Sequence, residues 1–185
     1  MFTVTRQIGI DAGHRVHTHG SKCKGLHGHR YLVEATCAAD ELVTDGVQSG
    51  MVTDFGFLKE VMVKHIHDTC DHALILARSD PLVEKLLGVV PDKLLVRIVD
   101  EEARAFGVIY LLEDPPTAEI LARHWFMCMV PDIHLISRGH ARLVRVKVWE
   151  TPNCFAEFTG PPLISAVGQS CLNGSTSTCQ RSKRN

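Results

Sequence analysis

Residues 23–37 read CKGLHGHRYLVEATC. From Arg30 onward the residue types alternate. Tyr31, Val33, Ala35 and Cys37 share one parity, and Arg30, Glu34 and Thr36 oppose them, which is the period of a half-buried β-strand. His27 and His29 fall on the apolar parity, so the inward face of this strand begins with two imidazoles. The same alternation occurs upstream. Phe2, Val4, Ile8, Ile10 and Ala12 oppose Thr3, Thr5, Gln7 and Asp11, and His14 continues the apolar set. Between the two strands, Thr18 to Gly25 is polar and contains glycine, as a loop joining an antiparallel pair would be. Neighbouring strand ends therefore direct His14, His27 and His29 to one side.

A lone histidine on a strand is commonly a hydrogen-bonded core or edge residue. A His-x-His pair joined by a third imidazole has the makings of a zinc site. Three histidines with the fourth position left to water or substrate form the open, catalytic kind. A structural zinc is closed by a fourth protein ligand, for which Cys23 is the candidate. Both arrangements are compatible with the spacing. Cys23 lies between Lys22 and Lys24 in the polar loop, a setting unlike that of a buried structural thiol. His17 and His19 share a parity in the same loop and read as solvated.

Downstream, Asp54 can cap a helix with Phe55, Leu58, Met62 and Ile66 along one face, ending near Asp68 to Cys70. Asp71 and His72 follow. A carboxylate beside an imidazole can serve as a proton relay; the alternative reading is that His72 meets the open carbonyls of the helix end. Pro115-Pro116-Thr117 starts a second helix, with Thr117 as its cap and Ile120, Leu121, Trp125 and Cys128 as its stripe. In the strand Arg142 to Thr151, Val144, Val146 and Val148 oppose Arg145, Lys147 and Trp149. Glu150 continues the valine parity. Unless the strand ends at Trp149, an acid there needs a cationic or strongly donating partner, such as a ligand. Phe155 to Phe158 adds a short strand.

These elements predict an α+β fold, an antiparallel sheet with helices packed on one face, in a single domain over 1–158. Residues 77–114 read as an elaboration, with helices around Leu82 to Leu87 and Lys93 to Ala105 and a strand from Val108 to Leu112. Residues 159–185, rich in Gly, Ser, Thr and Gln beyond Gly160, read as a flexible tail.

A length of 185 residues suits one domain with a real core. Twenty basic against 21 acidic residues give no broad field for nucleic acid or an anionic membrane. No apolar run approaches the ~20 residues that span a bilayer. Seven cysteines without framework spacing, and an opening MFTVTRQIGIDAGH without signal-peptide blocks, predict a reducing, cytoplasmic setting.

Six pieces, in chain order, resemble the 6-pyruvoyl-tetrahydropterin synthase family. They are His14, CKGLHGH, Gly50-Met51-Val52-Thr53-Asp54-Phe55, Cys70-Asp71-His72, Pro116-Thr117-Ala118-Glu119 and Trp149-Glu150-Thr151. The likeness covers 1–76 and 115–158. A cysteine followed after three residues by His-Gly-His is most similar to the bacterial branch, the 6-carboxy-5,6,7,8-tetrahydropterin synthases of the queuosine pathway. The resemblance implies zinc on His14, His27 and His29, Cys23 as catalytic base and Asp71 with His72 as proton relay. It implies Glu150 gripping the guanidine-like edge of a pterin, with Thr117 nearby. It implies the tunnelling fold (T-fold), in which sheets of several subunits join into a barrel, with active sites at the interfaces of a homohexamer. The implied reaction takes 7,8-dihydroneopterin triphosphate to 6-carboxy-5,6,7,8-tetrahydropterin, releasing triphosphate and acetaldehyde. In the sister branch the product is 6-pyruvoyl-tetrahydropterin.

Overall fold

A computed structural model describes residues 1–100 and 105–160. The two alternating stretches form β1 (Phe2–His14) and β2 (His27–Ala39), antiparallel in continuous register from Phe2 opposite Ala39 to His14 opposite His27. β6 (Arg142–Thr151) pairs with the other edge of β2, and β7 (Cys154–Thr159) with β6, both antiparallel. Four antiparallel strands in the order β1-β2-β6-β7 thus make the unit that the alternation predicts.

The apolar parity of these strands faces two helices, α1 (Phe55–Met62) and α4 (Ala118–Ile136). Leu58, Met62, Leu121, Trp125 and Met129 from the helices pack in one buried core with Ile10, Tyr31, Val33, Val146 and Val148 from the sheet. Each such side chain stabilises the fold by roughly 1.5–3 kcal/mol on full burial.

The Asp54 carboxylate caps α1 by accepting the Gly56 N–H. The helix then widens into a π turn, Val63–His67, and closes in the short α2 (Asp68–Cys70). Leu58, Met62 and Ile66 are buried as their spacing predicts, but Phe55 is 51% exposed, so the stripe begins one turn later than expected. Thr117 caps α4, accepting the Ile120 N–H at 3.4 Å.

The rest of the chain extends the sheet beyond β1. β3 (Ala73–Ala77) lies parallel to β1, touching it only at Gly13 and His14. β5 (Ala105–Leu112) is parallel to β3, and β4 (Leu95–Asp100) is antiparallel to β5. The result is a mixed seven-stranded sheet, β4-β5-β3-β1-β2-β6-β7. α3 (Pro81–Leu87) packs on the face opposite α1 and α4, where Val83 meets Leu76, Ile109 and Leu111.

The expected helix around Lys93 to Ala105 is not formed over Leu95–Asp100, which is strand. Its helix-like spacing is overridden by pairing with β5, a non-local contact. Residues 101–104, and the expected tail from 161 onward, lie outside the described residues. Among the described residues, no helix is long and apolar enough to cross a membrane. Phe2 to Ala12 of β1 pair only with β2, and β7 only with β6, so both edges of the four-stranded unit carry free backbone groups among the described residues.

Candidate active site

Register brings the three imidazoles together. His14 stands opposite His27, and His29 lies diagonally from His14, opposite Ala12. Ring centroids are 4.4 Å apart for His14 and His27, and 5.1 Å for each of the other two pairs. Their ligand nitrogens all lie within 4.8 Å of one another, a group that could hold a metal ion. Gly28, between the two β2 histidines, sits close to β1: a β-carbon there would lie 3.0 Å from the Ala12 carbonyl oxygen and would press on the pairing that brings the rings together.

The second nitrogens are already committed. His14 is 2% exposed, and its Nδ1–H donates to the Pro116 carbonyl at 2.8 Å. That acceptor assigns the tautomer and leaves Nε2 bare. His14 Nε2 is buried without a hydrogen-bond partner among the described residues. His27 Nδ1 likewise meets the Gly25 carbonyl at 2.9 Å. A ring tied through one nitrogen and presenting the other is the arrangement that orients a metal-ligating histidine. Burial pushes the His14 pKa down to about 4, with repulsion from His27 and His29 adding to it against the Pro116 bond. The ring is therefore neutral near pH 7, as a ligand must be. The orphaned Nε2 and the all-imidazole donor set fit a divalent transition metal.

One cavity of about 230 Å³ collects His14, Cys23, Thr117, Glu119, Glu150 and Cys154. Cys23 is half-buried in a 3₁₀ turn, Lys22–Lys24, and its carbonyl accepts the Val16 N–H at 2.8 Å. Its sulfur is not among the clustered ligand atoms. Glu150 continues the buried side of Val146 and Val148, as its parity predicts. It sits where the β6–β7 register shifts between Trp149 and Thr151. That irregularity is of the kind that re-aims a side chain. Glu150 Oε1 lies 3.9 Å from His14 Nε2, too far for a hydrogen bond, and its side chain is 27% exposed. The Thr117 hydroxyl accepts from Ile120 and keeps its own proton free to donate.

Asp71 and His72 do form a pair. His72 Nδ1 is 2.8 Å from Asp71 Oδ2, and Asp71 Oδ1 accepts the Asp11 N–H at 2.9 Å. Burial would raise the Asp71 carboxyl, but the Asp11 N–H and the neighbouring His72 and His67 outweigh it and hold the group below the usual carboxylate range. His72 adopts a left-handed backbone, φ 58°, secured by its N–H to the Asp11 carbonyl at 2.7 Å. Its side chain is 78% exposed, so it does not cap the preceding helix. It lines a separate, open depression with Asp11, His27, His29 and Arg30. Within one protomer, neither Asp71 nor His72 lines the cavity that holds Cys23.

The 6-pyruvoyl tetrahydropterin synthase family profile matches residues 3–161. The chain belongs to that family. This pterin synthase is 36% identical over 157 residues to the 6-carboxy-5,6,7,8-tetrahydropterin synthase of Rickettsia bellii, covering 85% of this chain and 99% of the relative. It is 30% identical over 158 residues to the Haemophilus influenzae protein of the same name, with the same coverage. Among solved structures it resembles an uncharacterised Wolinella succinogenes protein, with TM-score 0.70, 22% identity, 86% of this chain and 98% of that one. It also resembles Plasmodium vivax 6-pyruvoyl tetrahydropterin synthase, with TM-score 0.55, 16% identity, and 85% and 98% coverage. These neighbours share the T-fold, and the named relatives make the chain a lyase-type enzyme acting on a pterin.

Several residues around the site of this pterin synthase were not singled out by pattern. The Pro116 carbonyl is a backbone group 102 residues from the ring it orients, and nothing in the sequence signals it. Cys154 reaches the cavity from the start of β7. Glu119 carried a signal, since it closes the Pro116-Thr117-Ala118-Glu119 motif. His17 corrects an expectation. It is not solvated, because the end of β1 turns it inward, where its Nδ1 is buried 3.9 Å from Asp80. His19 is exposed as expected.

Proposed function

We propose that this chain converts 7,8-dihydroneopterin triphosphate and one water to 6-carboxy-5,6,7,8-tetrahydropterin, releasing triphosphate and acetaldehyde, with zinc held by His14, His27 and His29. The observation that carries the reading is the convergence of a buried, unpartnered imidazole nitrogen, Cys23 and Glu150 on one cavity. The relatives that bear the carboxy-synthase name support that branch over the pyruvoyl one.

Bound zinc supplies a Lewis acid for the hydroxyls of the substrate side chain and stabilises the negative charge that develops there. The protein's own residues do the rest. Glu150, which has no donor at hydrogen-bond distance among the described residues, accepts two N–H groups from the guanidine-like edge of the pterin, and Thr117 donates beside it. Cys23 takes a proton from the activated side-chain carbon. Asp71 fixes the His72 ring through Nδ1, leaving Nε2 to exchange a proton with the substrate. Because the Asp71–His72 pair stands apart from Cys23 within one protomer, a neighbouring copy supplies it. The free edges of β1 and β7 are the surfaces through which copies would join into a hexameric barrel. The setting is cytoplasmic, and the product feeds queuosine or another deazapurine precursor.

Metal content and product identification on one purified sample test this. The expected result is about one zinc per chain, with 6-carboxy-tetrahydropterin and acetaldehyde formed together. Pyruvoyl product without acetaldehyde would move the chain to the sister branch. Zinc-loaded protein that leaves the substrate untouched would overturn the proposal.

A further inference from the structure

Asp80 lies outside the cavity and outside every motif that carries the family resemblance, yet it is 1% exposed and its carboxylate is fully engaged. Oδ2 accepts from Arg15 Nε at 2.6 Å, and Oδ1 accepts from Arg15 Nη2 and from the Leu82 N–H, the latter at 2.8 Å. The carboxylate is thereby the N-cap of α3, and the Asp80 N–H donates to the Ala77 carbonyl at the end of β3. It is anchored at a rigid corner of the sheet. Burial would raise its pKa, but the Arg15 fork and the Leu82 N–H outweigh that and keep it ionised.

What the corner holds is the segment that carries Cys23. Arg15 and His17 flank Val16, and the His17 ring stands 3.9 Å from Asp80 Oδ2. Val16 is buried, donates its N–H to the Cys23 carbonyl at 2.8 Å and accepts the His19 N–H at 2.9 Å. Thr18 to Lys22, the intervening residues, are exposed. The position of Cys23 thus depends on where Val16 is held. A two-pronged guanidinium–carboxylate contact fixes direction as well as distance, which a lysine cannot do.

We propose that Asp80 is a positioning residue for the reaction, fixing through Arg15 and Val16 the backbone of Cys23 so that its sulfur stands over the cavity. This rests on the reading of Cys23 as the proton acceptor. The clamp is therefore expected to act on turnover and not on pterin binding, which belongs to Glu150.

The test uses the zinc-loaded protein and three variants. Asp80→Ser keeps a capping oxygen for the Leu82 N–H but removes the fork. Arg15→Lys keeps the charge but loses the second prong. Cys23→Ala is the control. Zinc content, kcat and KM are measured for each, and the rate of Cys23 alkylation by iodoacetamide, followed site by site by mass spectrometry, for wild type and the two clamp variants.

Both clamp variants are expected to retain zinc, to hold KM within about twofold, to lower kcat on the order of 10–100-fold and to speed Cys23 alkylation severalfold. A lowered Tm with kcat and alkylation unchanged would make Asp80 structural only and overturn the proposal. If Asp80→Ser does not fold, Arg15→Lys gives the same readouts. Wild-type kcat in Cys23→Ala would remove the reading of Cys23 and this inference together. Loss of turnover in Cys23→Ala with normal turnover in both clamp variants would remove this inference alone.

Discussion

His14 is the residue at which burial and chemistry meet most directly. Its pKa falls from the ordinary 6.5 to about 4 in the folded chain, so between those values the unfolded chain binds more protons than the folded one. Stability contributed here rises with pH through that window and is lost as metal-free protein is acidified through it. The Tm of metal-stripped protein is therefore expected to fall steadily from about pH 6.5 downward, with a shallower slope in His14→Asn. Glu150 makes a second prediction. Among the described residues its carboxylate has no donor at hydrogen-bond distance, the nearest imidazole nitrogen being His14 Nε2 at 3.9 Å, so on the proposed reading Glu150→Gln acts chiefly on the pterin contact. Steady-state kinetics should show KM raised roughly 10–100-fold, the worth of a charged hydrogen bond, with zinc content unchanged. Both residues were legible in the sequence because strand parity converts a one-dimensional pattern into a face. His17 was not, because parity stops where the strand stops, and its burial comes from a carboxylate 63 positions along the chain.

At the level of elements, the two helices that back the site were legible through their caps. Thr117→Ala removes the bond to Ile120 and should cost about 1 kcal/mol, read as a shift in the denaturant midpoint. Proline in its place would be no control, since it would also remove the Thr117 N–H bond to the Pro115 carbonyl. The part of the sheet beyond β1 was less legible. Ala73–Ala77 is a short apolar run without alternation, because both its faces are covered, one by the main core and one by α3. Leu95–Asp100 has residues spaced as in a helix and becomes a strand only through β5, which follows it in sequence and sets its register. Where an element draws its identity from a partner strand, local pattern does not carry it.

At the scale of the whole molecule, a single protomer holds two incomplete sets of chemical groups. Cys23, Glu150 and Thr117 share a cavity with His14, while His72, held by Asp71, lines an open depression on the far side of His27 and His29. Two inactive variants, Cys23→Ala and His72→Ala, are expected to regain a measurable fraction of wild-type activity when unfolded together and refolded as mixed oligomers. Each refolded alone should stay inactive, and the oligomeric state can be read by light scattering on the same samples. Activity in neither mixture nor monomer would place both sets in one protomer. The bond from His14 to the Pro116 carbonyl has a consequence of its own. It makes the first turn of α4 a mechanical extension of the metal centre, so occupancy at the ring should be audible at a distance, as slower hydrogen exchange at the Ile120 and Leu121 amides when the ion is seated.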